Sequence, residues 1–386
     1  MYTPYKRFTD SKLDYFLIYL ISIALFIFSN VTYATTDIVI DGRQVIDKPT
    51  SFSNVVIDMT HGRFKIVKGG SLKIENSTIN SNLYFDNPYT IDLEHGSLFL
   101  KNNKINIDAS MIKSNKLGLA KHEVFKVNKG KVELIQNDIW VNTSYSVGLL
   151  NTTDTETSGL KLSNNTIKNF HGGFNITNAN NTEIIGNIFE NVSSININVV
   201  NTTNATKIQN NIFYFPGNLV AGDAIDVINS SGVTISDNIV ASSANYGIYI
   251  MGGQNIFIDN NKISDGYGYG IYIDTPSSIA KAVSKMNYMA NSNIVISNNY
   301  LAQNRYGLSG GVVDNLIVSN NFFIQRFIDN TTRQYWTNND NLLPLATNLT
   351  WLNNLYKEAF TQEVPGDNSN TLKFVSFPRS GGVLLP

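Results

Sequence analysis

Apolar and polar residues alternate in short bursts along this chain, and each burst ends on an asparagine. The phrase apolar-x-apolar-x-x-Asn-x-apolar reads Leu98, Leu100, Asn103, Ile105 and returns around Asn137, Asn165, Asn187, Asn211, Asn238, Asn261, Asn299 and Asn321. The intervals between these asparagines are 34, 28, 22, 24, 27, 23, 38 and 22 residues, and a further copy carries Ser77 in the asparagine slot. Alternation of period two marks a half-buried strand. In Val233-Thr234-Ile235 the apolar residues face inward, Asn238 follows at a corner, and Val240 returns to the core. Asparagine suits such a corner because its side chain bonds nearby backbone and tolerates left-handed φ. A second short strand follows, as Gly247-Ile248-Tyr249-Ile250. The same segment is read at Gly173 to Ile176, Ser194 to Ile197, Ala224 to Val227, Gly270 to Ile273 and Gly307 to Gly310.

Two or three short strands per repeat, with no helical period between them, predict a coil that stacks on its neighbours. Stacked coils pair as parallel strands about 4.8 Å apart, and a repeat of this size is the signature of a solenoid. The corner asparagines then form a ladder, and the inward Ile, Val, Leu and Phe form one continuous core. The predicted fold class is all-β, a single-stranded parallel β-solenoid of about ten to twelve coils.

The boundaries follow from where the phrase begins and stops. Lys6, Arg7 and Lys12 precede an apolar run from Tyr15 to Phe28, and Val31-Thr32-Tyr33-Ala34 offers a small residue before a cut. This is the layout of a secretory signal peptide over 1–34. The run is shorter than the roughly 20 residues that span a bilayer, although an uncleaved anchor is the alternative. Residues 35–70 read as an N-terminal cap or first coils, 71–325 as the β-helix, and 326–386 as a C-terminal cap and tail. The body is expected to be secreted, periplasmic or at the cell surface, with no membrane contact after signal cleavage.

Composition narrows the function classes. The 54 asparagines supply the corners, and the absence of cysteine excludes disulfides and thiolate metal sites. A formal net charge of −1 lacks the basic footprint of a nucleic-acid binder. The four histidines, His61, His95, His122 and His171, are scattered and show no metal-ligand spacing. The sequence does not address oligomeric state.

Strand alternation also sorts the second strands. If Ile225 and Val227 point in, Asp226 points out, and the same logic turns Asn175, Asn196, Tyr249, Tyr272 and Ser309 outward. Six such residues make a column of roughly 24 Å, long enough for several sugar units. Tyr249 and Tyr272 offer flat amphipathic faces, although tyrosine is also an ordinary strand residue. Asp223, Asp226 and Asp274 form a candidate acid cluster, although turn chemistry and a solvated face are the commoner reading of the first two.

The combination of Gly-Ile-x-Ile strands with the asparagine phrase resembles the right-handed parallel β-helix superfamily, over roughly residues 70 to 325. That group includes pectate lyases, polygalacturonases, alginate lyases and epimerases, phage tailspikes and NosD-like periplasmic proteins. The resemblance implies a right-handed coil and a polysaccharide partner. Gly222-Asp223-Ala224 resembles the Gly-Asp-Asp segment of polygalacturonases, with alanine in place of the second aspartate and Tyr246-Gly247 in place of their His-Gly. A lyase or epimerase needs a cation to neutralise a uronate carboxylate and a base beside it. Arg305, with Lys281 and Lys285 from the long insertion, are the candidates, and calcium held by Asp226 and Asp274 would be a substitute. The copper-handling association of NosD-like proteins finds no Cys, Met or His cluster here.

The expected function is therefore that of an exported protein acting on or binding an acidic polysaccharide, with lyase or epimerase chemistry ahead of glycoside hydrolysis. Asp223, Asp226, Tyr249, Tyr272 and Arg305 are the candidate catalytic residues. Asn175, Asn196, Asp274, Lys281 and Lys285 are the candidate substrate contacts. The alternatives are a non-catalytic glycan- or partner-binding repeat protein of NosD-like or adhesin-like type, and a purely structural repeat.

Overall fold

The computed structural model describes residues 36–84, 88–112, 122–142, 147–153, 157–203, 205–214, 222–275, 287–304, 306–324, 348–357 and 373–374. The expected signal segment, the insertion with Lys281 and Lys285, Arg305 and most of 326–386 lie outside these residues. By contacts the chain divides into Met1–Asp37 and Ile38–Pro386, and the coils belong to the second unit. No helix among the described residues is long and apolar enough to cross a membrane.

Each regular coil has three strands, as the stretch Val233–Ser236, Ile239–Ala241 and Tyr246–Met251 illustrates. Each pairs in parallel with its counterpart in the next coil, with Ile235 opposite Ile258, Val240 opposite Ile263 and Ile248 opposite Ile271. Three columns of strands result. Sheet one holds the apolar pair of the phrase in twelve strands, from Pro49–Ser53 to Thr350–Leu352. Sheet two follows the corner asparagine, and sheet three holds the Gly-Ile-x-Ile strands. Near the N-terminus the single strand Val55–Ile66 runs through both, pairing with Thr78–Asn82 at one end and Tyr89–Leu93 at the other.

The corner between sheets one and two is built from two residues with different duties. The first is left-handed: Asn102, Asn164, Asn210, Asn260 and Asn320 have φ of 52° to 55°, and Gly186 takes the slot at 70°. The left-handed residue therefore precedes the ladder asparagine, a refinement of the sequence reading, and doublets such as Asn210-Asn211 divide the two tasks. The second residue is the ladder member. Asn211 Oδ1 accepts the backbone N–H of Asn187 at 2.9 Å and its Nδ2 at 3.0 Å, while Asn211 Nδ2 donates to Asn238 Oδ1 at 3.0 Å and Ile184 O at 2.9 Å. The asparagines from Asn103 to Asn354 repeat this, none more than 3% exposed. A buried amide is tolerated there because every donor and acceptor is matched. The ladder extends to Asn354, because Leu349, Trp351, Asn354 and Tyr356 write the phrase once more after the point where sequence alone ends it.

Inside, aligned apolar residues stack rung upon rung. Phe174, Phe189 and Phe213 lie fully buried, with successive ring centroids 5.4 and 5.0 Å apart. The burial of each such side chain contributes about 1.5–3 kcal/mol, so the core needs no covalent staples.

Candidate functional site

The outward surface of sheet three is set by register. Lys126, Asn151, Asn175, Asn198, Asp226, Tyr249, Tyr272 and Ser309 occupy equivalent positions on successive coils. A second row lies three residues upstream, where Tyr246, Tyr269 and Tyr306 align. The two rows face the same way although their spacing is odd, because two consecutive inward residues separate them within a strand. Gly247 and Ile248 are both buried. A Cβ on Gly247 would collide with the backbone oxygen of Gly270 and with Ile263 Cγ2, which explains the recurring glycine.

Asn196 is where the sequence reading and the structure part. It is 1% exposed, and its Nδ2 donates to Asp223 O at 3.0 Å, so it is a strut between coils rather than a groove residue. Both Ile195-Asn196-Ile197 and Ile197-Asn198-Val199 satisfy period-two alternation, and the strand uses the second, with Asn196 in the inward glycine slot. Asn198 takes the outward position. Asn175 stands in the column as expected, and Asp226, Tyr249 and Tyr272 are consecutive rungs of it.

Five tyrosines on three coils form one half-buried aromatic surface. Tyr246 stacks on Tyr272 with centroids 5.2 Å apart, Tyr249 lies 5.0 Å from Tyr246, Tyr269 lies 4.8 Å from Tyr272, and Tyr306 stacks on Tyr269 at 4.6 Å. Tyr249 and Tyr272 were legible from sequence. Tyr246, Tyr269 and Tyr306 were missed, although the repeated Tyr-Gly at 246, 269 and 306 is their signal.

The acids adjoin this surface. Tyr249 donates its hydroxyl proton to Asp274 Oδ2 at 2.8 Å. Burial, with Asp274 accepting that bond, holds the Tyr249 phenol far above its usual ionisation, and burial pushes Tyr272 up to about 12. Both rings are therefore neutral phenols near neutral pH. Asp226 is 4% exposed; burial raises its pKa well above the carboxylate range, and the neighbouring Asp223 adds to the rise. Asp223 is raised by burial too, partly offset by the Tyr246 N–H bonded to its Oδ1 at 3.0 Å.

Asp274 aligns with Met251 rather than with Asp226, so the three aspartates do not converge. No group of three or more His, Asp or Glu side chains is arranged to hold a metal ion among the described residues. His171 faces Ser193, with Nδ1 3.2 Å from its Oγ. A separate groove of ≈ 600 Å³ lies on sheet two, lined by Trp140, Lys168, Glu190 and Tyr214 among others.

Among curated proteins no sequence matches this chain. Solved structures do resemble it. A mannuronic acid specific polysaccharide family 6 lyase from human gut microbiota is 13% identical, with 89% of this chain and 86% of that chain covered and a TM-score of 0.50. A double mutant of the periplasmic alginate epimerase AlgG is 12% identical over 88% of this chain and 84% of that one, with a TM-score of 0.45. Identities this low establish a shared fold and nothing finer. Residues 172–343 match the family model described as right handed beta helix region, in keeping with the all-β parallel solenoid built by the three strand columns.

Proposed function

We propose that the protein is exported and binds a polysaccharide along sheet three, with the five tyrosines as the central platform. The observation that carries this is the continuity of that aromatic surface over three coils beside the half-buried Asp223 and the buried Asp226. Stacked neutral phenols present flat apolar faces to sugar rings and hydroxyls at their edges, and the column beyond them offers the amides of Asn198, Asn175 and Asn151 and the cation Lys126. Asp226, whose pKa burial and the neighbouring Asp223 raise well above the usual value, is the candidate to give a proton to a glycosidic oxygen. A uronate substrate would be neutralised by Lys126 or by Arg305, Lys281 and Lys285. The likeness to a mannuronic acid specific lyase makes mannuronate polymers the first to test.

A second reading, binding without catalysis, is favoured by the enclosure of Asp226, which leaves little of its carboxyl for a substrate to touch. One experiment separates the two. The mature protein is incubated with uronate and neutral glycans, with and without calcium, and unsaturated products, reducing ends and retained binding are measured. Product formation that is lost on Asp226→Asn supports catalysis. Binding without product, abolished by Tyr249→Ala with Tyr272→Ala, supports the second reading. Absence of both product and binding would sink the proposal.

A further inference from the structure

The amides of the sheet-three column point one way. Asn198 Nδ2 donates to Asn175 Oδ1 at 2.9 Å, Asn175 Nδ2 to Asn151 Oδ1 at 2.8 Å, and Asn151 Nδ2 to Glu123 Oε1 at 3.1 Å. In each link the residue on the later coil supplies the donor and the residue on the earlier coil the acceptor. At the far end the pattern calls for a donor on the coil after Asn198. That position belongs to Asp226, the register partner of Asn198 and an isostere of asparagine. Both oxygens left at this junction, Asn198 Oδ1 and Asp226 Oδ1, are buried and have no hydrogen-bond partner. Two unmatched acceptors on paired rungs of a buried ladder lack one thing, a proton.

We infer that Asp226 carries that proton on Oδ1 and donates it to Asn198 Oδ1, so that Asp226, Asn198, Asn175, Asn151 and Glu123 form one hydrogen-bonded row with a carboxyl at each end and a single proton between them. The row crosses five coils in four steps, about 19 Å at the parallel-strand spacing. Its direction records where the proton is. With the amides as they stand, Asp226 is the acid and Glu123 the acceptor. If all three amides turned over, Asn198 would donate to an ionised Asp226, and Asn151 Oδ1 would require a protonated Glu123. Ionising both ends leaves one pair of acceptors in contact, a cost of the kind that a half-satisfied buried network incurs.

The groups around the row agree with this. Asp226 has Asp223 just ahead of its strand Ile225–Ile228 and Tyr249 on the next coil as its charged or titratable neighbours, and they add no positive charge to offset burial. Glu123, also raised by burial, has Lys126 nearby to favour its ionised form. The cation thus sits at the acceptor end, as the observed amide direction requires. The inference concerns the same sheet as the proposed glycan site but does not depend on glycan binding.

The test is proton-specific. Infrared difference spectra of the purified protein at neutral pH, with isotope-labelled aspartate, are expected to contain a protonated-carboxyl band that Asp226→Asn removes and Glu123→Gln leaves in place. Folding stability supplies the second readout. The folded pKa of Asp226 is raised, so its stabilisation is present at low pH and is lost as pH rises through that value. The wild type should lose up to tenfold in folding equilibrium constant per pH unit there. Asp226→Asn puts an Nδ2 donor in the slot, so it should fold at least as well as wild type and flatten that slope. Asp226→Ala should be destabilised, because it leaves Asn198 Oδ1 unmatched. No protonated-carboxyl band in the wild type, or an Asp226→Asn variant that keeps the full pH slope, would overturn the inference, whatever the glycan assays return.

Discussion

Replacing Asn211 by alanine tests the ladder where it is fully enclosed, since Asn211 is 0% exposed. The substitution removes four hydrogen bonds and strands the Asn187 N–H and one proton of Asn187 Nδ2, while the carbonyl of Ile184 loses a side-chain donor. Asn238 Oδ1 keeps its bond from the backbone N–H of residue 211. An unmatched buried group costs about 1–3 kcal/mol. Two such groups come to about 2–6 kcal/mol. Serine should recover part of the loss, because Ser77 in the same slot accepts the Val55 N–H at 3.2 Å. The control is one residue away. Asn210 is exposed at φ 55°, a conformation that glycine adopts freely, so Asn210→Gly should change stability by less than about 0.5 kcal/mol. Urea unfolding gives the midpoints. Hydrogen exchange at the Asn187 amide reports local opening directly, which matters because a solenoid can open coil by coil. A loss below about 1 kcal/mol for Asn211→Ala, with Asn187 still protected, would refute the claim that these amides hold adjacent coils together.

Three further outcomes are expected. Tyr249→Ala combined with Tyr272→Ala should weaken glycan binding on sheet three at least tenfold by calorimetry, while Trp140→Ala on the sheet-two groove should leave it unchanged; the reverse pattern would move the site. Asp274→Asn removes the carboxylate that accepts the Tyr249 proton, so Tyr249 should ionise at lower pH in an ultraviolet titration, and no change would mean burial alone sets that shift. Gly247→Ala forces a Cβ against the Gly270 carbonyl oxygen, and thermal unfolding should show a loss of about 1–3 kcal/mol.

The coil was legible in the sequence because one residue type does one job at a fixed place. Leu98, Leu100 and Asn103 announce strand, strand and corner, and the same spacing finds the same geometry nine times. The last coil was harder to see, because the ladder residue Asn354 stands 33 positions after Asn321 and its phrase includes Trp351 and Tyr356 rather than small aliphatics. The site was legible only in part. Alternation places Asp226, Tyr249 and Tyr272 correctly, but it assumes an unbroken period of two, and the paired inward residues at 247–248 break that period. Hence Asn196 was taken for Asn198, and the row of Tyr246, Tyr269 and Tyr306 went unseen. No pattern of residue types announced that Asp226 would be enclosed, since burial depends on what the neighbouring coils place over it.

The corner between sheets one and two never changes length. From Asn76-Ser77 to Asn353-Asn354 it is always two residues, so every variation in the 22- to 38-residue interval arises elsewhere in the coil. Each corner is thus a standard joint, and the chain between two of them is an exchangeable module. Cutting at one joint and rejoining at the next should delete or duplicate a whole coil without shifting the frame of any other. The natural choice is the 22-residue unit between Asn165 and Asn187. Surfaces on this molecule would then lengthen or shorten only in whole steps of about 4.8 Å, so the reach of its binding face is a countable quantity that recombination between coils can change.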